Sequence, residues 1–284
     1  MAAVTQTLQV FATLHVPTVH PVLAAKMGAT IDHISGGRFG LNIVAGWQPE
    51  EIAMFGSAQR EHDERYEVAD EWAQVVDQLW STPGESDFDG RFFEVPGGFL
   101  EPKPLQQPRP VVMSAGISPA GRRFAAMHAD LVFVAIADPS ATADTVADVK
   151  RFAREEHGNE LRVFGRAHVT CKESTAGAQA AYQHYILDHG DREAGENVLR
   201  MLMGNSQTID YKSAEHQALV EAVVRGYFAH SVVGTPEEVT EQFSDLADAG
   251  LNGVAVTWND YEEGLDQLEQ RILPLMVEAG LRTA

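Results

Sequence analysis

Arg166 and His168, two residues apart in Arg162-Val-Phe-Gly-Arg-Ala-His-Val-Thr170, are the side chains of this chain best placed to do chemistry. Residues i and i+2 of a strand point to one face, so a guanidinium and an imidazole stand side by side. A buried arginine requires a partner anion, and an imidazole exchanges its proton near neutrality. The pair therefore offers anion binding beside proton transfer. A lone strand histidine is more often a hydrogen-bonded core residue than a catalyst. The arginine on the same face shifts the balance toward function, while Val163, Ala167 and Val169 take the other face, where helices would pack.

Other polar groups fall at the ends of apolar runs. Asn42 interrupts the nearly continuous apolar stretch 39–45. A buried amide must find hydrogen-bond partners, so Asn42 is either a structural bridge or a ligand contact. Thr13 and His15 share a face at the end of an earlier strand, Ser114 ends a later one, and Thr257-Trp258 end the last. Arg65 and Tyr66, in His62-Asp-Glu-Arg-Tyr66, open a long helix. They read as a solvated helix start, or as a guanidinium and phenol suited to a phosphate or a carboxylate. Ser118 enters a helix from the small-residue loop Ser114-Ala-Gly-Ile-Ser118. It is a helix cap or a phosphate contact.

The elements that must hold these groups alternate. Strands are expected near residues 7–14, 39–45, 110–115, 131–136, 162–170 and 253–258. Helices are expected over 21–34, 60–80, 140–156, 174–188 and 262–278, with further helices starting at Ser118 and Thr235 and a hairpin over 87–95 turning at Asp89-Gly90. Gly36-Gly37 supplies a turn, since glycine alone enters positive φ freely. Strand–helix alternation implies a parallel α/β sheet with its site at the carboxyl ends of the strands. Six core strands are two short of an eight-stranded barrel. Residues 1–284 read as one domain, with about 172–234 an insertion before the last strand.

Composition excludes several classes. No apolar run approaches the roughly 20 residues that span a bilayer, and no signal peptide is apparent. One cysteine, Cys171, rules out an internal disulfide and a cysteine-rich metal site and favours the cytoplasm. Asp and Glu number 41 against 21 Lys and Arg, a formal charge of −20, so nucleic acid is not an expected partner. No metal-binding motif is visible.

The stretches Ala24-Ala-Lys-Met-Gly-Ala-Thr-Ile-Asp32, Ser35-Gly-Gly-Arg-Phe-Gly-Leu-Asn-Ile-Val-Ala-Gly-Trp47, Asp63-Glu-Arg-Tyr66 and Pro102-Lys-Pro104, in this order and spacing, carry a resemblance. The chain resembles the bacterial luciferase-like, flavin-dependent monooxygenases, near the alkanesulfonate, dimethylsulfone and pyrimidine enzymes. The resemblance implies a TIM-type (β/α)8 barrel that binds reduced FMN, supplied by a separate flavin reductase, and oxygenates a small organic substrate with dioxygen. It implies flavin contacts at Asn42, Glu51, Arg65, Tyr66 and Ser118, with Thr13 beside them. Arg166 and His168 match the Arg-X-His pair of the alkanesulfonate group, which the pyrimidine group lacks. His168 is then expected to move a proton and Arg166 to hold an anionic substrate or balance negative charge. His15, Trp47 and Trp258 are expected walls of the substrate pocket. Trp258 is closer to the aromatic of the pyrimidine group than to the tyrosine of the alkanesulfonate group.

The resemblance also implies two βα units ahead of residue 1, agreeing with the strand count. A misassigned start codon, a deliberately shortened chain, or closure of the sheet by homo-oligomerisation would each account for it. Other classes remain beside this one: a deazaflavin-dependent oxidoreductase on the same barrel, a non-catalytic flavin-binding protein, or a hydrolase. For the last, Gly116-Ile-Ser118-Pro-Ala-Gly121 lacks the Gly-X-Ser-X-Gly spacing of a nucleophile elbow.

Overall fold

The computed structural model describes residues 1–116, 118–136, 139–203 and 213–283. The chain gathers into two compact units, one of residues 1–132 with 149–162, the other of residues 133–148 with 163–284.

The first unit runs β1 (Val10–His15), α1 (Pro21–Ser35), β2 (Phe39–Val44), α2 (Pro49–Met54) and α3 (His62–Ser81). The hairpin β3 (Ser86–Asp89) and β4 (Glu94–Gly98) follows, then β5 (Val111–Ser114), α4 (Pro119–His128) and β6 (Leu131–Phe133). The strands β1, β2, β5 and β6 pair in that order, all parallel. Helix α1 starts with Pro21 at its first turn, where no N–H is needed, and ends at Gly36, whose φ of 68° closes the C-terminus. Gly37 continues the turn at φ 83°, as the sequence predicts. Helix α3 packs on α1 through Trp80, whose indole N–H donates to the Ala25 carbonyl at 3.0 Å, and is tied to the loop before α1 by Trp72, which donates to the Val19 carbonyl at 2.8 Å.

One buried carboxylate organises this unit. Asp32 of α1 is fully buried and accepts from the Leu105 and Gln106 amides at 2.7 and 3.1 Å and from Gln106 Nε2 at 2.7 Å. A longer bond of 3.4 Å comes from the Phe39 amide. It thus ties the loop after Pro104 to the start of β2. Glu71 of α3 does the same for the hairpin, its carboxylate accepting from the amides of Arg91, Phe92 and Phe93 at 2.8–3.2 Å.

The second unit is built on α5 (Pro139–His157), whose first half belongs to it, and on β7 (Arg162–Cys171). After these come α6 (Thr175–Tyr182), a π-helical turn at Gln183–Asp188, α7 (Arg192–Met203) and α8 (Ala214–Val224). Then follow β8 (His230–Gly234), α9 (Pro236–Asp248), β9 (Gly253–Thr257), α10 (Tyr261–Gln267), a π-helical turn at Leu268–Ile272 and α11 (Leu273–Glu278). Strand β7 pairs parallel with β8 and with β9. Val163, Ala167 and Val169 are buried, as the face assignment requires.

The alternation of parallel strands and helices expected of an α/β fold is present. One strand was missed: β8, at the end of the stretch read as an insertion over about 172–234, adds a seventh parallel strand among the described residues. Five residues abutting a helix cap give little periodicity, although Val232 is fully buried. The two long helices read over 174–188 and 262–278 each contain a π-helical turn. In the second, Pro274 cannot donate to the carbonyl one turn back, and the π turn lies immediately before it. The cap at Thr235 is as expected, with its hydroxyl accepting from the Glu238 amide and Glu238 accepting from the Thr235 amide.

Candidate functional site

In the first unit, the parallel register sets Thr13 opposite Asn42. Asn42 Nδ2 donates to Thr13 Oγ1 at 3.1 Å, and Asn42 Oδ1 is buried without a hydrogen-bond partner among the described residues. His15, two residues beyond Thr13, pairs with Glu51 of α2 at 3.2 Å. Four of the residues singled out in the sequence therefore form two adjoining pairs on β1, β2 and α2. Trp47 lies in the loop after β2, half-buried, its carbonyl accepting from Gln59 Nε2 at 3.2 Å.

Arg65 and Tyr66 diverge. The Arg65 guanidinium donates through Nη1 to the Gly46 carbonyl, its Nε is buried and unpartnered, and it borders a cavity of about 780 Å³ with His20, Arg60, Phe92 and Phe93. Tyr66 turns to the loop that enters α4. A Cβ at Gly116 or Gly121 would lie 2.7 or 2.8 Å from the Tyr66 hydroxyl, and 2.8 or 2.7 Å from the other glycine's Cα. Only glycine at both positions lets loop, helix and phenol close together. Ser118 is the N-cap of α4, its Oγ accepting from the Gly121 amide at 3.1 Å. The capping role is thus realised, and the hydroxyl proton is left to donate elsewhere.

In the second unit, His168 is 5% exposed, and its Nδ1 lies 3.2 Å from Thr257 Oγ1. The Thr257 hydroxyl gives its own proton to the Ala167 carbonyl at 3.4 Å, so its oxygen is free to accept from Nδ1–H. That assigns the imidazole proton to Nδ1 and leaves a lone pair on Nε2, which is buried and has no partner among the described residues. Burial, and then the nearby Arg225 cation, hold the His168 pKa below its ordinary value, so the ring is neutral at pH 7. Arg166 is half-buried, with its guanidinium carbon 5.0 Å from the centroid of the Tyr227 ring and no carboxylate partner among the described residues. Trp258 follows β9, and its indole Nε1 is buried and unpartnered. With Thr170, Cys171 and Tyr185 it lines a cavity of about 240 Å³.

The residues 1–253 match the family model of the luciferase-like monooxygenases. The chain belongs to the luciferase-like monooxygenase family. Pyrimidine monooxygenase RutA of Enterobacter sp. (strain 638) is 33% identical over 97% of this chain and 76% of its own length. RutA of Cronobacter sakazakii (strain ATCC BAA-894) is 34% identical, over 97% and 81%. Among solved structures, the long-chain alkane monooxygenase LadA superposes with a TM-score of 0.89 at 25% identity, covering 100% of this chain and 73% of LadA. DmoA from Hyphomicrobium sulfonivorans gives 0.85 at 23% identity, covering 99% and 70%, a likeness of fold. This luciferase-like monooxygenase is therefore an α/β enzyme of the flavin-dependent monooxygenase class that acts on a small organic substrate.

The residues of the first unit suit a flavin. An isoalloxazine edge offers N–H groups, and Asn42 Oδ1 is a buried acceptor without a donor. A phosphate needs donors, and the Ser118 hydroxyl with the Ala120 amide provides them, since Pro119 has no N–H and the Gly121 and Arg122 amides already donate to Ser118. Sequence reading missed Tyr227, Thr170 and Arg225. Thr170 continues the face of Arg166 and His168 and was overlooked there, whereas Tyr227 and Arg225 lie between α8 and β8 with no strand-end polarity to mark them, and only tertiary contacts bring Tyr227 to Arg166. Among the described residues no group of three or more His, Cys, Asp or Glu could hold a metal ion, and no helix is long and apolar enough to cross a membrane.

Proposed function

We propose that this luciferase-like monooxygenase uses reduced FMN and dioxygen to place one oxygen atom on a small sulfonate, sulfone or nitrogen heterocycle. The carrying observation is the buried, unpartnered Asn42 Oδ1, held in orientation by the bond from Nδ2 to Thr13. A buried acceptor of this kind costs stability unless a ligand satisfies it.

When bound, reduced FMN supplies the two electrons by which one oxygen atom enters the product and the other leaves as water. Asn42 Oδ1 accepts a ring N–H, with Thr13 fixing the amide. Ser118 and the start of α4 hold the phosphate, Arg65 and Tyr66 add a cation and a phenol on α3, and Glu51 contributes through its pairing with His15. On the second unit, His168 receives a proton at Nε2 while Nδ1 stays bonded to Thr257. Arg166 holds an anionic group of the substrate or balances negative charge that develops in the reaction. His15, Trp47 and Trp258 are pocket walls in this reading. The curated relatives act on pyrimidines by name, which favours the heterocycle class. Arg166, with no carboxylate partner among the described residues, favours a substrate that brings negative charge.

Each turnover consumes reduced FMN, so a separate flavin reductase is the proposed supplier. Leu23, Met27 and Ile34 expose one apolar face of α1, which supports a homo-oligomer. The buried free thiol of Cys171 and the charge of −20 support a cytoplasmic protein that binds no nucleic acid.

The test is turnover under oxygen-18 dioxygen with chemically reduced FMN, offering uracil, methanesulfonate and dimethylsulfone in parallel. One labelled oxygen per product molecule is expected with one of them, and none when a reduced deazaflavin replaces FMN. No labelled product from any of the three, together with unquenched FMN fluorescence on titration, overturns the reading.

A further inference from the structure

Gly226, Tyr227 and Phe228 form three consecutive residues at positive φ, of 128°, 55° and 64°. Tyr227 and Phe228 are the only non-glycine residues at positive φ among those described. The backbone here caps α8: the Tyr227 amide donates to the Val223 carbonyl at 2.8 Å and the Phe228 amide to that of Ala222 at 2.7 Å. A cap of this kind is ordinarily made by glycine or asparagine. A bulky aromatic residue in the left-handed region is disfavoured, because its Cβ crowds the following carbonyl oxygen. Capping alone therefore does not account for two aromatic residues in a row.

Both rings have work elsewhere. Phe228 packs on Leu199, Val220 and Val223, the small core that α7 and α8 share. Tyr227 lays its ring on the Arg166 guanidinium, centroid to carbon 5.0 Å. The same turn touches the neighbouring histidine: a Cβ at Gly226 would lie 3.8 Å from His168 Nδ1 and 3.6 Å from Thr257 Oγ1. Strained backbone of this sort persists only where its surroundings over-determine it, and it gathers at functional sites.

We propose that Tyr227 is a positioning residue for Arg166. Its ring, pinned by the Gly226–Phe228 turn, fixes the plane of the guanidinium and so the direction in which it meets a negatively charged group. The helix pair α7–α8, through Phe228, becomes the anchor of that plane. The importance of this for turnover rests on the role given to Arg166 under the proposed function; the positioning itself does not.

The test uses the full chain with Tyr227→Gly and Tyr227→Phe, and reads the rate at which phenylglyoxal modifies Arg166, followed by peptide mass spectrometry. Glycine relieves the backbone strain and removes the ring, so Tyr227→Gly is expected to melt no lower than the parent, yet to expose Arg166 to modification roughly three- to thirty-fold faster, the range of a cation–π contact. Tyr227→Phe keeps a π face and is expected to stay within about two-fold of the parent. An unchanged Arg166 rate in Tyr227→Gly overturns the proposal, as does a Tyr227→Phe variant as reactive as Tyr227→Gly. Turnover separates the two readings. With Arg166 active, Tyr227→Gly raises KM for the accepted substrate more than it lowers kcat, and Tyr227→Phe restores it. Arg166→Gln turning over like the parent while the modification result holds would overturn the role of Arg166 and leave the positioning intact.

Discussion

Asn42 and Thr13 stand opposite each other in parallel register, and the single bond between them satisfies the amide's donor while its buried acceptor goes unmet. This asymmetry makes the two functions of Asn42 separable. Asn42→Ala removes a buried group that the protein itself does not satisfy, so the apo-protein is expected to melt at the same temperature or slightly higher. FMN affinity is expected to fall by roughly 2- to 13-fold, the value of one net hydrogen bond. Differential scanning calorimetry and fluorescence titration measure the two effects. A variant destabilised by several kcal/mol with unaltered FMN affinity would mark Asn42 as a structural bridge instead.

His168 reports on its protonation through pH. Its folded pKa lies below the ordinary 6.5, because burial and then Arg225 disfavour the cation. The neutral ring, the proton acceptor, therefore persists below pH 6.5, and kcat/KM should hold its plateau to more acid pH than a solvated imidazole allows. Arg225→Gln removes one of the two causes, so the acid limb should move to higher pH. The same shift acts on folding: it contributes stability above the unfolded pKa, and that contribution is lost as pH falls toward the folded one. His168→Gln is expected to lower kcat by roughly a hundred- to ten-thousand-fold. Stopped-flow pH profiles decide the matter, and an acid limb that ignores Arg225→Gln would count against His168 as the titrating group.

Asp32 tests the architecture rather than the chemistry. Asp32→Asn keeps the volume but turns an N–H₂ toward donors from Leu105, Gln106 or Phe39. Each carboxylate oxygen accepts two of these bonds, so leaving two donors unmet is expected to cost about 3 kcal/mol. Urea unfolding measures it, and a loss under about 0.5 kcal/mol, the size of an ordinary surface substitution, would contradict the hub role.

Much of this was legible in the chain because strands and helices alternate with clean punctuation. Gly36-Gly37, Pro21 and the Thr235–Glu238 box act locally, and each was found where the sequence put it. Thr13 with His15, and Arg166 with His168, were readable because strand alternation fixes faces, whereas the bond from Asn42 to Thr13 depends on the register between two strands. The pairing of His15 with Glu51 was not, since it depends on how α2 folds back after β2. Nor was Asp32, which stood in a recognisable stretch but whose shortest bonds come from Leu105 and Gln106, over 70 residues ahead. Strand β8 and Tyr227 escaped for the same reason: a short strand beside a strained cap has no periodicity, and its meaning comes from distant contacts.

Gly264 of α10 faces the indole of Trp258 so closely that a Cβ there would lie 2.3 Å from the ring's Cγ. The aromatic wall of the 240 Å³ cavity is thus set by a missing methyl on the neighbouring helix. Any larger residue must push helix and ring apart, so the volume offered to a guest can be retuned at a lining position that now carries no side chain at all.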